Sequence, residues 1–393
     1  MRTPEELGEA LVAILRDPPP PGLRPQLDWF LRDDAEQLAR HAVHHRVAPF
    51  LRQALRGARL SLAGDVSRAL EKSHARFTAV HLMALEDLTE VGDILRQVDV
   101  EALVMKGPVL AERHYPSADL RPYGDLDLLI PPADFERTID ALEAAGLELV
   151  DKNWHLIRTE GRAQLHVVLP HGTLADIHWS VLNRRSVRDT FRIPTLDLLA
   201  RARSVEIDGR SVPTLDPTDT LLHLCLHGTL SGGDRLIWSK DVERVIATEP
   251  PRWDEVVRRA DAWMAGPSVA IALDRARRIL GADVPTDVLR DLYGSGIRGG
   301  ITRLVDHVRP PERALGEMNA SVLWSQVCRA DWRTTLEALS GRASRRSRHL
   351  LKGGSYEGST IFRPVGDARD ERRYLEEVED LDRGDADGSP RRP

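Results

Sequence analysis

Cysteine is scarce in this 393-residue chain, with Cys225 and Cys328 as the only two. That excludes a disulfide framework and an all-cysteine metal site, and it makes a reducing compartment the expected setting. Long apolar runs are also missing. The stretch "LLHLCLH" is short and bounded by Asp219 and His227, so no membrane span is expected. The first residues, "MRTPEELGEALVAILRDPPPPG", have neither the basic start nor the apolar core of a signal peptide. A cytoplasmic location is the expectation. Basic charge is not in excess either: 55 Lys and Arg stand against 61 Asp and Glu, a net charge of −6. A surface that neutralises many phosphates is therefore not expected, and nucleic acid is not favoured as a partner. No internal repeat recurs at a fixed period.

What the chain does contain is helix, then a mixed segment, then helix again. Residues 1–100 read as an N-terminal helical region. Its first helix opens on a capping box, Thr3 with Glu6, and proline at the first helical position. Residues 101–194 read as an α/β core. A short apolar strand in "EALVMKGP" ends at Lys106-Gly107, and Pro108 opens a helix. Strand-like runs follow in "RPYGDLDLLIP", "HLIRT", "AQLHVVL" and "LADIHWSV". After Pro194 the pattern returns to helices, giving a C-terminal helical region over 195–365. The charged segment 366–393 has few apolar residues and is expected to be a mobile tail.

Within the core, Asp125 and Asp127 sit one residue apart in an otherwise aliphatic strand. Strand alternation places both carboxylates on one face and Leu126 and Leu128 on the other. Two such charges about 5 Å apart repel by roughly 3 kcal/mol at an effective dielectric of about 20, so a cation is expected between them. A hard-oxygen pair of this kind suits Mg²⁺ and can bridge it to phosphate oxygens. Asp176, flanked by Ala175 and Ile177, is a third carboxylate that a buried strand would hold only with a partner. Gly107 lets backbone approach a phosphate closely, and Lys106 adds charge at the same strand end.

Taken in order, "VMKGPVLAERHYP", "LRPYGDLDLLIP" and "ADIHWSV" resemble the uncharacterised nucleotidyltransferases of the DNA polymerase β-like nucleotidyltransferase superfamily. The later "LHGTLSGGDRLIWSKDVERVI" is similar to that group's helical His and Trp-x-x-Asp region, and the resemblance covers roughly residues 30–250. It implies an α+β fold, a small mixed-sheet nucleotidyltransferase core flanked by N-terminal and C-terminal helical segments. It also implies transfer of a nucleoside monophosphate from a nucleoside triphosphate to a small-molecule or peptide acceptor, with pyrophosphate leaving. Asp125, Asp127 and Asp176 would then hold Mg²⁺, for which Mn²⁺ can substitute, and Asp176 would help deprotonate the acceptor. Lys106, Gly107 and Arg121 would bind the nucleotide, ATP being one candidate. His178, His227 and Asp241 would lie near the metal or the acceptor. In the wider superfamily the glycine is usually followed by serine or glycine. Pro108 removes that N–H here and shifts the burden of triphosphate binding to Lys106 or Arg121.

Each assignment has a plainer alternative. Lys106 can end a strand in solvent, Arg121 can pair with a nearby acid, and His178 can be a satisfied core histidine. His223 and His227 share a helical face at a zinc-compatible spacing, but no third ligand accompanies them. A nucleotide-fold binding or regulatory module without turnover remains an alternative, as does a toxin-like enzyme acting on RNA ends.

Overall fold

The computed structural model describes residues 3–62, 64–294, 297–308, 319–351, 361–366 and 368–386. The first helix, Pro4–Leu15, begins at the expected capping box. Thr3 Oγ1 accepts from the Glu6 amide at 3.2 Å, and the Thr3 amide donates to Glu6 Oε2 at 2.8 Å. Two of the orphan donors at the helix start are thereby satisfied.

The chain folds as two compact units, each assembled from separated stretches. The first takes Met1–Ala79, Leu110–Pro122 and Pro217–Arg342. Helices Pro4–Leu15, Leu23–Asp33, Ala35–His44 and Ala48–Gly57 bury Leu7, Leu11, Leu27, Phe30, Leu38 and Leu51 in one cluster. Each leucine so buried contributes about 1.5–3 kcal/mol relative to exposure. Helices Pro217–Leu230 and Gly266–Leu280 are buried over most of their length, so their charged side chains need partners. Asp219 takes Arg259 at 2.8 Å, and Arg275 donates from Nε to Asp306 at 3.0 Å. Removing either member of such a pair would strand a buried charge.

The second unit takes Val80–Val109, Tyr123–Asp216 and Ala343–Pro393, and contains the sheet. Its strands are β1 (Leu103–Val104), β2 (Asp125–Leu129), β3 (Glu148–Leu149), β4 (Gln164–Val168), β5 (Leu174–His178), β6 (Arg203–Ile207) and β7 (Arg210–Thr214). Their order is β3-β4-β5-β2-β1-β7-β6. Strands β2 and β5 pair in parallel, as do β1 and β7, and every other pairing is antiparallel. The fold is α+β with a mixed sheet and flanking helices.

Three local expectations change. The run "HLIRT" lies in a helix, Trp154–Glu160, because Asn153 caps it: the Asn153 Oδ1 accepts from the Leu156 amide at 3.0 Å. The region after Pro194 is not all helical, since β6 and β7 form a hairpin. Asp208 and Gly209 turn it with φ of +49° and +71°, the left-handed pair that a two-residue hairpin turn requires. The segment expected to be a mobile tail holds a helix, Ala368–Ala386, that buries Tyr374, Leu375 and Val378. Three apolar groups on one face suffice to dock it, with the Tyr374 hydroxyl donating to the Arg162 carbonyl at 2.8 Å. Residues 367 and 387–393 of that segment lie outside the described residues. Among the described residues, no helix is long and apolar enough to cross a membrane.

Candidate functional site

Strand register assembles the site. In the parallel pairing of β2 with β5, Asp127 stands directly across from Asp176, and in the antiparallel pairing of β4 with β5, His166 stands across from Asp176. Facing residues share a side of the sheet, and side chains alternate along each strand. One face therefore carries Asp125, Asp127, Asp176, His178, Gln164 and His166. The other carries Leu126, Leu128, Leu165, Val167, Ala175 and Ile177, all buried. That apolar face anchors the strands and fixes the register that aligns the acids.

Lys106 supplies positive charge to one of the two paired acids, Asp127. Its Nζ lies 3.0 Å from Asp127 Oδ1, and His178 Nε2 lies 3.3 Å from the same oxygen. The imidazole thus meets the carboxylate as a close charge contact, and both His178 ring nitrogens are buried without a regular hydrogen bond. Burial alone would raise the Asp127 carboxyl; Lys106 and His178 outweigh it and hold the group well below the usual carboxylate range. Asp176 goes the other way. Burial pushes it up to about 6, with the charges of Asp127 and Asp125 adding and His166 and His178 opposing. Two carboxylates on neighbouring strands thus have opposite proton affinities, a pattern characteristic of functional sites.

Asp176 is held from behind by residues that the sequence reading passed over. Gln164 Nε2 donates to Asp176 Oδ2, while Gln164 Oε1 accepts from Asn183 Nδ2 at 3.0 Å. His166 Nε2 lies 3.5 Å from Asp176 Oδ1, and its Nδ1 lies 2.8 Å from Oδ2 of the fully buried Asp151. Burial would lower the His166 pKa, but Asp151 and Asp176 together raise it. The alternation in "AQLHVVL", polar at 164 and 166 and apolar at 165 and 167, is the signal that could have placed Gln164 and His166 on the acidic face.

Gly107 has φ of +62°, and a Cβ there would sit 3.3 Å from the Asp125 carbonyl oxygen and 3.5 Å from the Tyr123 ring. Glycine is required for the chain to turn so close to the start of β2. Asp125 shares the acidic face and is partly exposed. The remaining expected residues belong to the first unit. Arg121 forms a buried bidentate pair with Asp241, Nε to Oδ1 at 2.8 Å and Nη2 to Oδ2 at 3.0 Å, and the Tyr115 hydroxyl donates to the same carboxylate at 2.6 Å. His227 packs edge-on against Trp238, with ring centroids 6.0 Å apart. The structure brings together Lys106, Asp127, Asp176 and His178, and gives Arg121 and Asp241 to each other.

The donor set fits a divalent cation. Among the described residues, one group of acidic, histidine or cysteine side chains is compact enough to share an ion: Asp127, Asp176 and His178 each offer an atom within 4.8 Å of the others. Two metal–ligand bonds of about 2.0–2.4 Å placed end to end span that separation. Asp176 Oδ1 and His178 Nε2 are buried and without hydrogen bonds, which is the state expected of atoms that await a cation.

No curated protein matches the chain. Among solved structures, an antigenic nucleotidyltransferase-like protein from Paracoccidioides brasiliensis is similar at 15% identity, over 53% of this chain and 95% of that one, with a TM-score of 0.37. That likeness is too slight to carry an argument. A family model described as an uncharacterised nucleotidyltransferase matches residues 32–281, a span that takes in Lys106 and both acid-bearing strands. Because the match covers more than half of its length, the chain belongs to the family of uncharacterised nucleotidyltransferases.

Proposed function

We propose that the protein is a divalent-metal-dependent nucleotidyltransferase that moves a nucleoside monophosphate from a nucleoside triphosphate to a small-molecule or peptide acceptor. The observation that carries this reading is the register of β2 against β5, which sets Asp127 across from Asp176 inside the span that matches the family. Asp125, Asp127 and Asp176 hold Mg²⁺ or Mn²⁺, and Lys106 with the Gly107 turn receives the triphosphate. The bound cation would polarise the phosphoryl oxygens and offset charge on the leaving pyrophosphate.

The protein's own groups do the rest by position. An acceptor hydroxyl or amine attacks the α-phosphorus, the bond from that phosphorus to the bridging oxygen breaks, and pyrophosphate departs with the electron pair. Asp176, beside the cation it helps hold, helps deprotonate the acceptor as the new bond forms. The Lys106 ammonium, already held at the site by Asp127, turns to the departing phosphates. The scarcity of cysteine, with Cys225 and Cys328 both buried and outside any disulfide, supports a cytoplasmic setting within this reading.

The test is incubation of the full chain with nucleoside triphosphates labelled at the α- or the γ-phosphate, with Mg²⁺ or Mn²⁺ and a mixture of small metabolites and peptides. Label from the α position should enter a new product while γ label leaves as pyrophosphate. Transfer of the γ label would make the protein a kinase and overturn the proposal. Metal-independent consumption, or none, would equally count against it.

A further inference from the structure

We infer that His178 is a direct metal ligand, so that the ion in this site is held by two carboxylates and one imidazole rather than by carboxylates alone. This rests on the proposal that the acidic face binds a divalent cation, and it goes further by naming the third donor and the class of metal it selects. The compact group of donors is Asp127, Asp176 and His178; Asp125 is not part of it. His178 is 6% exposed, and neither ring nitrogen has a hydrogen-bond partner. A polar ring buried at that depth is costly unless something coordinates or bonds it. Its Nε2 already faces Asp127 Oδ1 at 3.3 Å, and strand alternation places it on the Asp176 side of β5.

The backbone holds the ring there. His178 ends β5, its carbonyl accepts from the Ile130 amide at 2.7 Å, and its register partner on β2 is Leu129. The imidazole therefore stands on a rigid pair of strands, as a ligand should. Nitrogen in the donor set disfavours Mg²⁺, which prefers oxygen and retains its waters, relative to first-row transition ions that accept imidazole, for which Mn²⁺ serves as the paramagnetic probe. Asp125, partly exposed and outside the group, is left to meet the cation that arrives with the triphosphate.

The experiment is titration of the full chain with Mn²⁺ alone, without nucleotide, followed by electron paramagnetic resonance. Pulsed measurements on the bound ion then read nitrogen coupling. The expected results are binding that Mg²⁺ displaces only in large excess, and an imidazole ¹⁴N coupling that His178→Gln abolishes and His166→Gln retains. His178→Gln should also weaken Mn²⁺ binding by at least about tenfold, the size of effect seen even when an outer partner of a ligand is lost. His166 is the control because its Nε2 is the other imidazole nitrogen near Asp176. Bound Mn²⁺ without nitrogen coupling, coupling that survives His178→Gln, or no binding at millimolar Mn²⁺ would each overturn the inference. Nitrogen-free Mn²⁺ released by Asp127→Asn would reject His178 alone and leave the proposed function standing. A nitrogen-coupled ion with no response to any nucleotide would do the reverse.

Discussion

Asp127 concentrates the electrostatics of the acidic face. Lys106 and His178 both approach one of its oxygens, and its side chain is 5% exposed, so the charge is removed from water and its counter-cation is local. Breaking a buried pair by deleting one partner typically costs about 3–5 kcal/mol. Asp127→Ala should therefore lower stability by that order in urea unfolding, and Asp127→Asn by less, because the amide keeps one acceptor. An unchanged midpoint in both would mean that Lys106 finds solvent as readily as it finds Asp127. At this scale much of the site was legible in the sequence. Asp-x-Asp in an aliphatic strand, and a lone Asp in another, are costly patterns that demand an explanation. What was not legible was pairing across distance. Arg121 meets Asp241 from 120 positions away, and Asp151 reaches His166 only because β4 lies beside β5.

Elements with a local signature could be read, and those defined by docking could not. The helix at Pro4 announced itself through Thr3 and Glu6, whereas β6 and β7 were taken as part of a helical region although "SVEIDGRSVPT" contains an Asp-Gly turn between alternating residues. The helix Ala368–Ala386 is a docking case. Its charged sequence argues for solvent, but Tyr374 places its ring 6.3 Å from Phe135 and 6.0 Å from Trp154. The Tyr374 hydroxyl also accepts from Trp179 Nε1 at 3.0 Å. Tyr374→Phe keeps the ring and leaves a buried indole N–H and the Arg162 carbonyl without their partner. A loss of about 1–3 kcal/mol should follow, read by chemical denaturation of the full chain. No loss would mean that the helix is held by its apolar contacts alone.

At the scale of the whole molecule, stability should depend on acid through the first unit as well as through its carboxylates. His45 is pushed down to about 3 by burial, with His44, His41 and Arg235 adding to the effect. Its folded pKa lies below the ordinary value near 6.5, so the unfolded chain takes up a proton as pH falls through 6.5 while the folded chain does not. The contribution is fully present above pH 6.5 and is lost progressively down to about pH 3, at about 1.4 kcal/mol per pH unit. His45→Gln should flatten the unfolding midpoint between pH 6.5 and 4 relative to the unmodified chain. Parallel curves for the two proteins would show that His45 does not carry this dependence. The division into two units from interleaved stretches was beyond the sequence for a related reason. Residues 110–122 leave the α/β stretch for the first unit, and nothing in their local pattern marks the change.

The central claim, that the face bearing Asp127 and Asp176 binds a metal and a nucleoside triphosphate together, is tested most directly by thermal unfolding. The full chain would be heated with ATP, GTP, CTP or UTP, each with and without Mg²⁺ or Mn²⁺, alongside Asp127→Asn and Asp176→Asn. A ligand at a hundred times its dissociation constant adds about 2.7 kcal/mol, enough to raise the midpoint by several degrees. The account predicts a rise with at least one nucleotide that requires the metal and disappears in both variants. A rise that persists in both variants, or none with any nucleotide and metal, would contradict it.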